Sequence, residues 1–512
     1  MTYLEFLKEF DCRMIVYSVG AKRHDWTPRK DNEFDICGFG TKTGLLNGLN
    51  KNIPLNLNLR IKTINTKLIE IFSNNKIKDY IDVQPIRTKS INTQSLQNIY
   101  GFYITTKKEN KMKILISSVH VAVNSGYGMI SKQLLEMLPK IPNVELKMIA
   151  YYGAKYKTEY NGIEILPNWG SGYIGEESIL AECKTWNPDL VLFTYDIFIL
   201  EPSFFKKIKA TGAKIASLLM VDSSPFGMCN IPTLHEIDYP ICVTEWALNQ
   251  IPTEVSKRAT YVPLGLDSAY RIIDRNIARK RFNELMQGNV LNDDTELTTI
   301  VSANCGDDRS RKGFYPMILG WKKYLEKTNC KNKYLNIHSD VRGLAQGGSD
   351  LKTMMLMLKY TAEQASTVIF PLQMKYLCNE FSVEDMANIY SASNVYLSAA
   401  QSEGFGKPIT ESIACGCYPL VTNFGASREL IYKTQNVPEA HLLNGSSIYV
   451  GNNSVRCHVT EDEVAESLTA IYEAKLPYYF DNIEPSKRCM NEYGELTQIN
   501  LWTEFLTKVE AK

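Results

Sequence analysis

The densest chemistry lies in one run, Ser402-Glu403-Gly404-Phe405-Gly406-Lys407-Pro408-Ile409-Thr410-Glu411. An ionised carboxylate accepts two hydroxyl hydrogen bonds at once. Glycines such as Gly404 and Gly406 allow backbone to pass close to a ligand. Pro408 suits the first turn of a helix. A helix start gathers unpaired N–H groups and a positive dipole end, and beside a glycine turn it makes an anion site, typically for phosphate. Glu403 precedes that turn and Glu411 follows one turn into the helix, so both can border one pocket. Two carboxylates beside a phosphate site suit a molecule with sugar hydroxyls and a diphosphate.

A second cluster is cationic. The loop Cys305-Gly306-Asp307-Asp308-Arg309-Ser310-Arg311-Lys312-Gly313 follows the strand-like run from Leu297 to Asn304. It precedes a helix marked by Phe314, Met317, Ile318, Trp321 and Tyr324. Arg and Lys at a strand-to-helix turn form a phosphate clamp through charge-assisted hydrogen bonds. A third loop, His120 to Gly128, carries Gly126 and Gly128 between a strand and a helix, a ligand-binding position at the start of a parallel sheet. A plain tight turn is the alternative there. His120, Asp196 and Asp222 each follow an apolar strand, where active groups of such sheets belong. For His120 the commoner fate is a satisfied rim histidine.

These groups need a scaffold. From Met112 onward, apolar runs alternate with helix-period segments: Lys113 to Val119, Glu145 to Ala150, Asp189 to Thr194, Lys214 to Val221 and Ile241 to Thr244 read as strands. The pattern implies a parallel sheet with helices on both faces. Leu297 onward repeats it, with further strands at Tyr334 to His338, Thr367 to Pro371, Val395 to Ala399 and Tyr418 to Thr422. Asp350 to Tyr360 is a helix whose Met354, Met355 and Met357 read as core. Ser382 opens a helix with a capping box. Glu492 to Val509 is a terminal helix with Leu496, Ile499, Trp502, Phe505 and Leu506 on one stripe. Residues 1 to about 110 are polar and Asn-rich, with alternation only from Leu55 to Lys62. They read as a small accessory region or an extension, with the boundary in the charged run Lys107 to Lys113. His24-Asp25-Trp26 is read as a solvated turn.

The run Glu403-Gly404-Phe405-Gly406…Glu411 followed by Ala414-Cys415-Gly416 resembles the paired-glutamate motif of retaining glycosyltransferases of the GT-B fold, and of glycosyltransferase family 4 in particular. The resemblance spans roughly residues 112 to 510. It implies an α/β, GT-B architecture: two Rossmann-like doubly wound domains facing a cleft, at 112–270 for the acceptor and 271–490 for the donor. Residues 491–512 then return as a helix to the first domain. It implies that Glu403 faces the donor sugar and Glu411 the ribose. Lys312 and the backbone around Gly404, Phe405, Gly406 and Lys407 hold the diphosphate. The loop with Gly126 and Gly128 lies near the donor phosphates and the acceptor. The strand-end arginine of the family is missing, and either Arg309 or Arg311 serves in its place. Many members carry a histidine where this chain has Asp222, which either replaces it or caps the next turn. The catalytic candidates are Glu403, Lys312 and Asp222, with His120 and Asp196 on the acceptor side.

The implied activity is hexosyl transfer, with retention, from a nucleoside-diphosphate sugar to a hydroxyl on a glycan, lipid-linked or protein acceptor, without metal or other cofactor. A nucleotide-sugar-binding protein without transferase activity, or a sugar-nucleotide epimerase, are the alternatives. Composition narrows the rest. The 512 residues suffice for two or three domains with full cores, and 44% hydrophobic with 22% charged residues is ordinary for a globular chain. A net charge of +1 gives no pull toward nucleic acid. The 12 cysteines form no pair of CxxC units and read as reduced thiols. The first residues lack a basic, apolar leader, and no run reaches the ~20 apolar residues of a membrane span. The expectation is a cytoplasmic protein. Peripheral contact with the inner membrane face is common in this fold but carried here by no clear basic amphipathic helix.

Overall fold

A computed structural model describes the strands within residues 1–110 and residues 111–169, 174–288, 290–305, 311–344, 347–435, 442–451, 453–479 and 482–511. His24-Asp25-Trp26 and Arg309 lie outside the described residues. The chain divides into two compact units, Met1–Asn110 and Lys111–Lys512.

The first unit carries five described strands: β1 (Arg13–Val19), β2 (Leu59–Thr63), β3 (Ile69–Ser73), β4 (Asp82–Pro85) and β5 (Ile99–Thr105). β5 lies between β1 and β4, antiparallel to both, and β2 pairs antiparallel with β3. The alternating run after Leu55 therefore supplies β2.

The second unit contains two lobes. The first is built on β6 (Met112–Val119), β7 (Val144–Tyr152), β8 (Thr158–Tyr160), β9 (Ile163–Pro167), β10 (Leu190–Phe193), β11 (Lys214–Leu219), β12 (Tyr239–Cys242) and β13 (Thr260–Tyr261). Their order is β13-β12-β11-β10-β6-β7-β9-β8, parallel throughout except for β8. Alternate residues of β6 serve opposite faces: Ile114 and Ile116 enter one core with Leu134 and Leu135, and Leu115 enters another with Phe204 and Phe205. That two-sided burial is why the strands read as near-continuous apolar runs. The edge pair β8–β9 is not legible in the sequence, because Thr158–Tyr160 is too short to show a period.

The second lobe is built on β14 (Glu296–Val301), β15 (Lys333–His338), β16 (Val368–Ile369), β17 (Val395–Ser398) and β18 (Tyr418–Val421), all parallel, in the order β16-β15-β14-β17-β18. The chain steps outward from β14 to β16, then returns to β17. The reversal leaves a crevice above the C-terminal ends of β14 and β17, where ligands of open α/β sheets bind. In the first lobe the same reversal falls between β6 and β10. An antiparallel hairpin, β19 (Ser446–Val450) and β20 (Ser454–His458), completes the strands. The capping box at Ser382 is present, with Asp385 as its partner.

Two details depart from the sequence reading. The last segment is two helices, Ile483–Tyr493 and Glu495–Glu510, broken at Gly494, where an added Cβ would lie 2.2 Å from the Met490 carbonyl oxygen. Trp502 and Phe505 are buried in the core of the first lobe, the Phe505 ring edge-on to Tyr239 at 6.0 Å, but Leu496 is exposed. Met357 is exposed as well, because the helix Leu351–Met357 ends there and only Leu351 and Met355 are buried. No described helix is long and apolar enough to cross a membrane.

Replacing Phe505 with Ala is expected to cost about 3–5 kcal/mol in urea denaturation, as for a fully buried aromatic. Leu496→Ala is expected to change stability by less than about 0.5 kcal/mol. Equal losses would mean that the terminal helix packs by another face.

Candidate functional site

The crevice between the lobes is a cavity of about 1730 Å³, lined from both sheets. Typical sites for one small ligand span about 300–1,000 Å³, so two substrates fit together.

At its centre Lys312 Nζ donates to both Glu403 oxygens at 2.8 Å. The pair is 91 residues apart in sequence and meets because the loops after β14 and β17 are neighbours in the sheet. Gly313 makes this approach possible. Its φ is +69°, and a Cβ there would lie 2.1 Å from the Ala399 carbonyl oxygen at the end of β17. The Gln401 amide donates to the Arg311 carbonyl at 2.7 Å, binding one loop to the other.

The helix Lys407–Ala414 starts from Gly406, whose φ is +92°, with no side chain capping its first amides. Its open start is the anion-binding end of the dipole. Glu411 is 3% exposed on the inner face. Tyr390 donates to its Oε2 at 3.0 Å, Tyr270 lies beside the same carboxylate, and Oε1 is buried without a hydrogen-bond partner. Burial pushes the Glu411 carboxyl above the usual glutamate range, with Lys407 pulling the other way. The Lys407 side chain donates to the Gly265 carbonyl at 2.8 Å, and burial lowers its ammonium. Phe405 is a core ring, edge-on to Tyr493 at 5.6 Å. Gly404 is bare because a Cβ would lie 2.8 Å from Met220 Cβ of the first lobe.

Asp222 reaches across the cleft. Its Oδ2 accepts from Arg456 Nη2 at 2.9 Å and lies 3.9 Å from Arg311 Nη1. The adjacent backbone makes a bridge as well, Ser224 N to Val455 O at 3.1 Å and Val455 N to Ser224 O at 2.8 Å. Asp222 therefore links the lobes while lining the cavity at the end of β11. Arg456, on β20, was missed by the sequence reading. Its sign there was a strand pair around Gly451-Asn452-Asn453, a turn composition. Tyr390 and His338 were missed too, because single aromatic and imidazole groups in buried runs read as core.

In the first lobe, the helix Gly126–Met137 begins earlier than the glycine loop suggests, capped by Ser125 accepting from the Gly128 amide at 3.1 Å. Gly126 lines the cavity. Gly128 does not; it permits contact with the Val123 carbonyl, 2.1 Å from an added Cβ. Asp196 lines the cavity with Tyr127 against it. His120 turns away. Its Nε2 meets Thr158 at 3.0 Å and its Nδ1 accepts from the Ala122 amide at 3.2 Å, so the edge strand β8 takes the ring from the cleft wall. Glu429 accepts from the Glu245 and Trp246 amides, at 2.9 and 2.6 Å, at the start of the helix Glu245–Leu248 in the opposite lobe.

The fold is GT-B. Residues 373–443 match the family model described as glycosyl transferases group 1. No curated protein matches the chain. Among solved structures, sucrose-phosphate synthase from Thermosynechococcus elongatus is 13% identical with a TM-score of 0.58, covering 78% of this chain and 99% of that one. A glycosyltransferase from Rickettsia africae is 14% identical with a TM-score of 0.54, covering 78% and 99%. Anabaena HepE in complex with UDP-glucose is 12% identical with a TM-score of 0.54, covering 78% and 100%. At such identities the likeness establishes architecture alone.

Because Glu411 binds its proton more tightly when folded, it favours folding at acid pH. That contribution is lost as pH rises through its raised value. Glu411→Gln is expected to melt above the unaltered protein at pH 8, with the gap closing toward pH 4.5, the ordinary glutamate value. A lower melting temperature at pH 8 would mean that the carboxylate is held as a stabilised ion.

Proposed function

We propose that this protein is a retaining glycosyltransferase of family 4, moving a hexose from a nucleoside-diphosphate sugar to a hydroxyl of a glycan, lipid-linked or protein acceptor. One observation carries the reading: the Lys312–Glu403 pair stands beside an uncapped helix start and the unpartnered Glu411 oxygen. The group 1 match over the same motif supports it. So does the likeness to HepE, whose structure holds UDP-glucose.

In this reading the second lobe, residues 271–490, takes the donor and residues 112–270 the acceptor. The diphosphate lies on the helix start of Lys407–Ala414, beside Lys312 and Arg311. Those positive groups stabilise the charge that gathers on the leaving diphosphate, the largest contribution to catalysis of this kind. No metal ion is given a step. Glu411 takes the ribose hydroxyls. Glu403, released from Lys312 as the phosphate arrives, holds the sugar. The acceptor hydroxyl enters beside Asp196 and attacks on the leaving-group face, where a donor phosphate oxygen accepts its proton. The cross-cleft links at Asp222 hold the lobes together around the reaction and exclude water. Ten described cysteines are free thiols, which suits a reducing cytoplasm with at most peripheral membrane contact.

The test is a screen of nucleotide sugars by thermal shift, followed by donor turnover. Lys312→Ala and Glu403→Ala are each expected to lower turnover by about 10²-fold or more, with circular dichroism unchanged. Undiminished turnover by both variants would overturn the assignment.

A further inference from the structure

Arg456 stands on β20 opposite Ile448 of β19, and its chain neighbours tie it to both lobes. On one side Val455 exchanges two backbone hydrogen bonds with Ser224 of the first lobe, at 3.1 and 2.8 Å. On the other, the Cys457 amide donates to the Gln401 carbonyl at 3.1 Å, and the Gln401 amide in turn holds the Arg311 carbonyl. A side chain pinned on both flanks presents its guanidinium at a fixed place. There it meets Asp222. Nε donates to the Asp222 backbone carbonyl at 3.3 Å and Nη2 to the carboxylate Oδ2 at 2.9 Å. The same Oδ2 lies 3.9 Å from Arg311 Nη1. One carboxylate oxygen thus stands between two guanidinium groups. All three side chains line the cavity, Asp222 at 27% exposed, Arg311 at 16% and Arg456 at 11%, so a solute can reach them.

The planar fork of a guanidinium fits phosphate as well as carboxylate. Asp222, fixed by its own backbone, offers one oxygen to both groups. A phosphoryl group carries three terminal oxygens and can give each guanidinium its own. Lys312, next in the chain to Arg311, and the uncapped helix start after Gly406 add further positive groups to the same cavity. The carboxylate can also leave without parting the lobes. The Arg456 Nε bond to the Asp222 carbonyl and the Ser224–Val455 bridge do not use it.

We propose that Arg456 and Arg311 form an oxyanion site for a phosphoryl group of a substrate, for which the Asp222 carboxylate competes. The source of that group rests on the nucleotide-sugar reading of the cleft: it is the donor diphosphate beside Lys312 or a phosphate carried by the acceptor. Competition has a signature that a plain link between lobes lacks. Removing the carboxylate leaves both guanidinium groups to the ligand, whereas removing Arg456 takes away half of the site.

The test uses the full chain and calorimetric titration with inorganic pyrophosphate, orthophosphate and UDP. Arg456→Gln is expected to weaken pyrophosphate binding about tenfold, and Asp222→Asn to tighten it by a similar factor. Arg456→Lys keeps the charge without the fork; it is expected to recover part of the loss and provides a second variant should Gln not fold. Orthophosphate that binds the UDP-saturated protein, and needs Arg456 to do so, assigns the phosphoryl group to the acceptor. Exclusion of orthophosphate by UDP assigns it to the donor. Weakening by both the Asp222 and the Arg456 variants overturns the site, since the pair would then act only by joining the lobes. UDP binding with pyrophosphate indifferent to both substitutions also overturns it and leaves the donor reading standing. Pyrophosphate binding with both expected responses, but no binding of UDP, overturns the UDP form of the donor reading and leaves the site.

Discussion

Lys312 and Glu403 face each other at 2.8 Å because β14 and β17 are adjacent and parallel. Both groups are under one-fifth exposed, so each desolvated charge is balanced chiefly by the other. The surrounding structure serves this arrangement. Gly313 has no Cβ because the Ala399 carbonyl occupies its space. The Gln401 amide is bonded to the Arg311 carbonyl, so the two loops keep a fixed distance. A site resting on sheet order is rigid where it must hold charge.

The lobes are coupled by a different class of contact. Asp222 with Arg456, the Ser224–Val455 backbone bridge and Asn124 with the Tyr376 carbonyl all cross the cleft. Behind it, Lys433 gathers Glu245, Tyr261 and Glu492 within 3.2 Å, joining both lobes and the last helices. Apolar packing joins the lobes as well: one buried cluster holds residues of both, and Trp246 meets Phe424 edge-on at 5.6 Å.

Much of the architecture was legible in the chain. The apolar runs that became β6, β10, β11, β14, β15, β17 and β18 are buried on both faces, and burial on both faces leaves an uninterrupted hydrophobic run. The Glu403–Glu411 motif was legible because glycines, a proline and a terminal glycine mark its turns by backbone chemistry. His120 has the satisfied rim position that the sequence left as its commoner fate, but its partner Thr158, in a three-residue edge strand, was not legible. Asp222 lines the cleft as its place after a strand implied, but its partner Arg456 was not legible, since it lies 234 residues on. The alternation at Leu55 to Lys62 overlaps the strand Leu59–Thr63, and residues 55–58 lie outside the described residues.

The sequence by itself determined the two sheets, the helix that begins after Gly406 and the chemical kinds of group gathered near it. Local periodicity and turn residues are written into short stretches of chain, so they can be read there. The tertiary structure alone decided which side chains meet. Strand order made neighbours of Lys312 and Glu403, burial left Glu411 Oε1 and His338 Nδ1 without partners, and the hairpin delivered Arg456 to Asp222. Pairing across long separations depends on which strands lie side by side, and no local pattern encodes that.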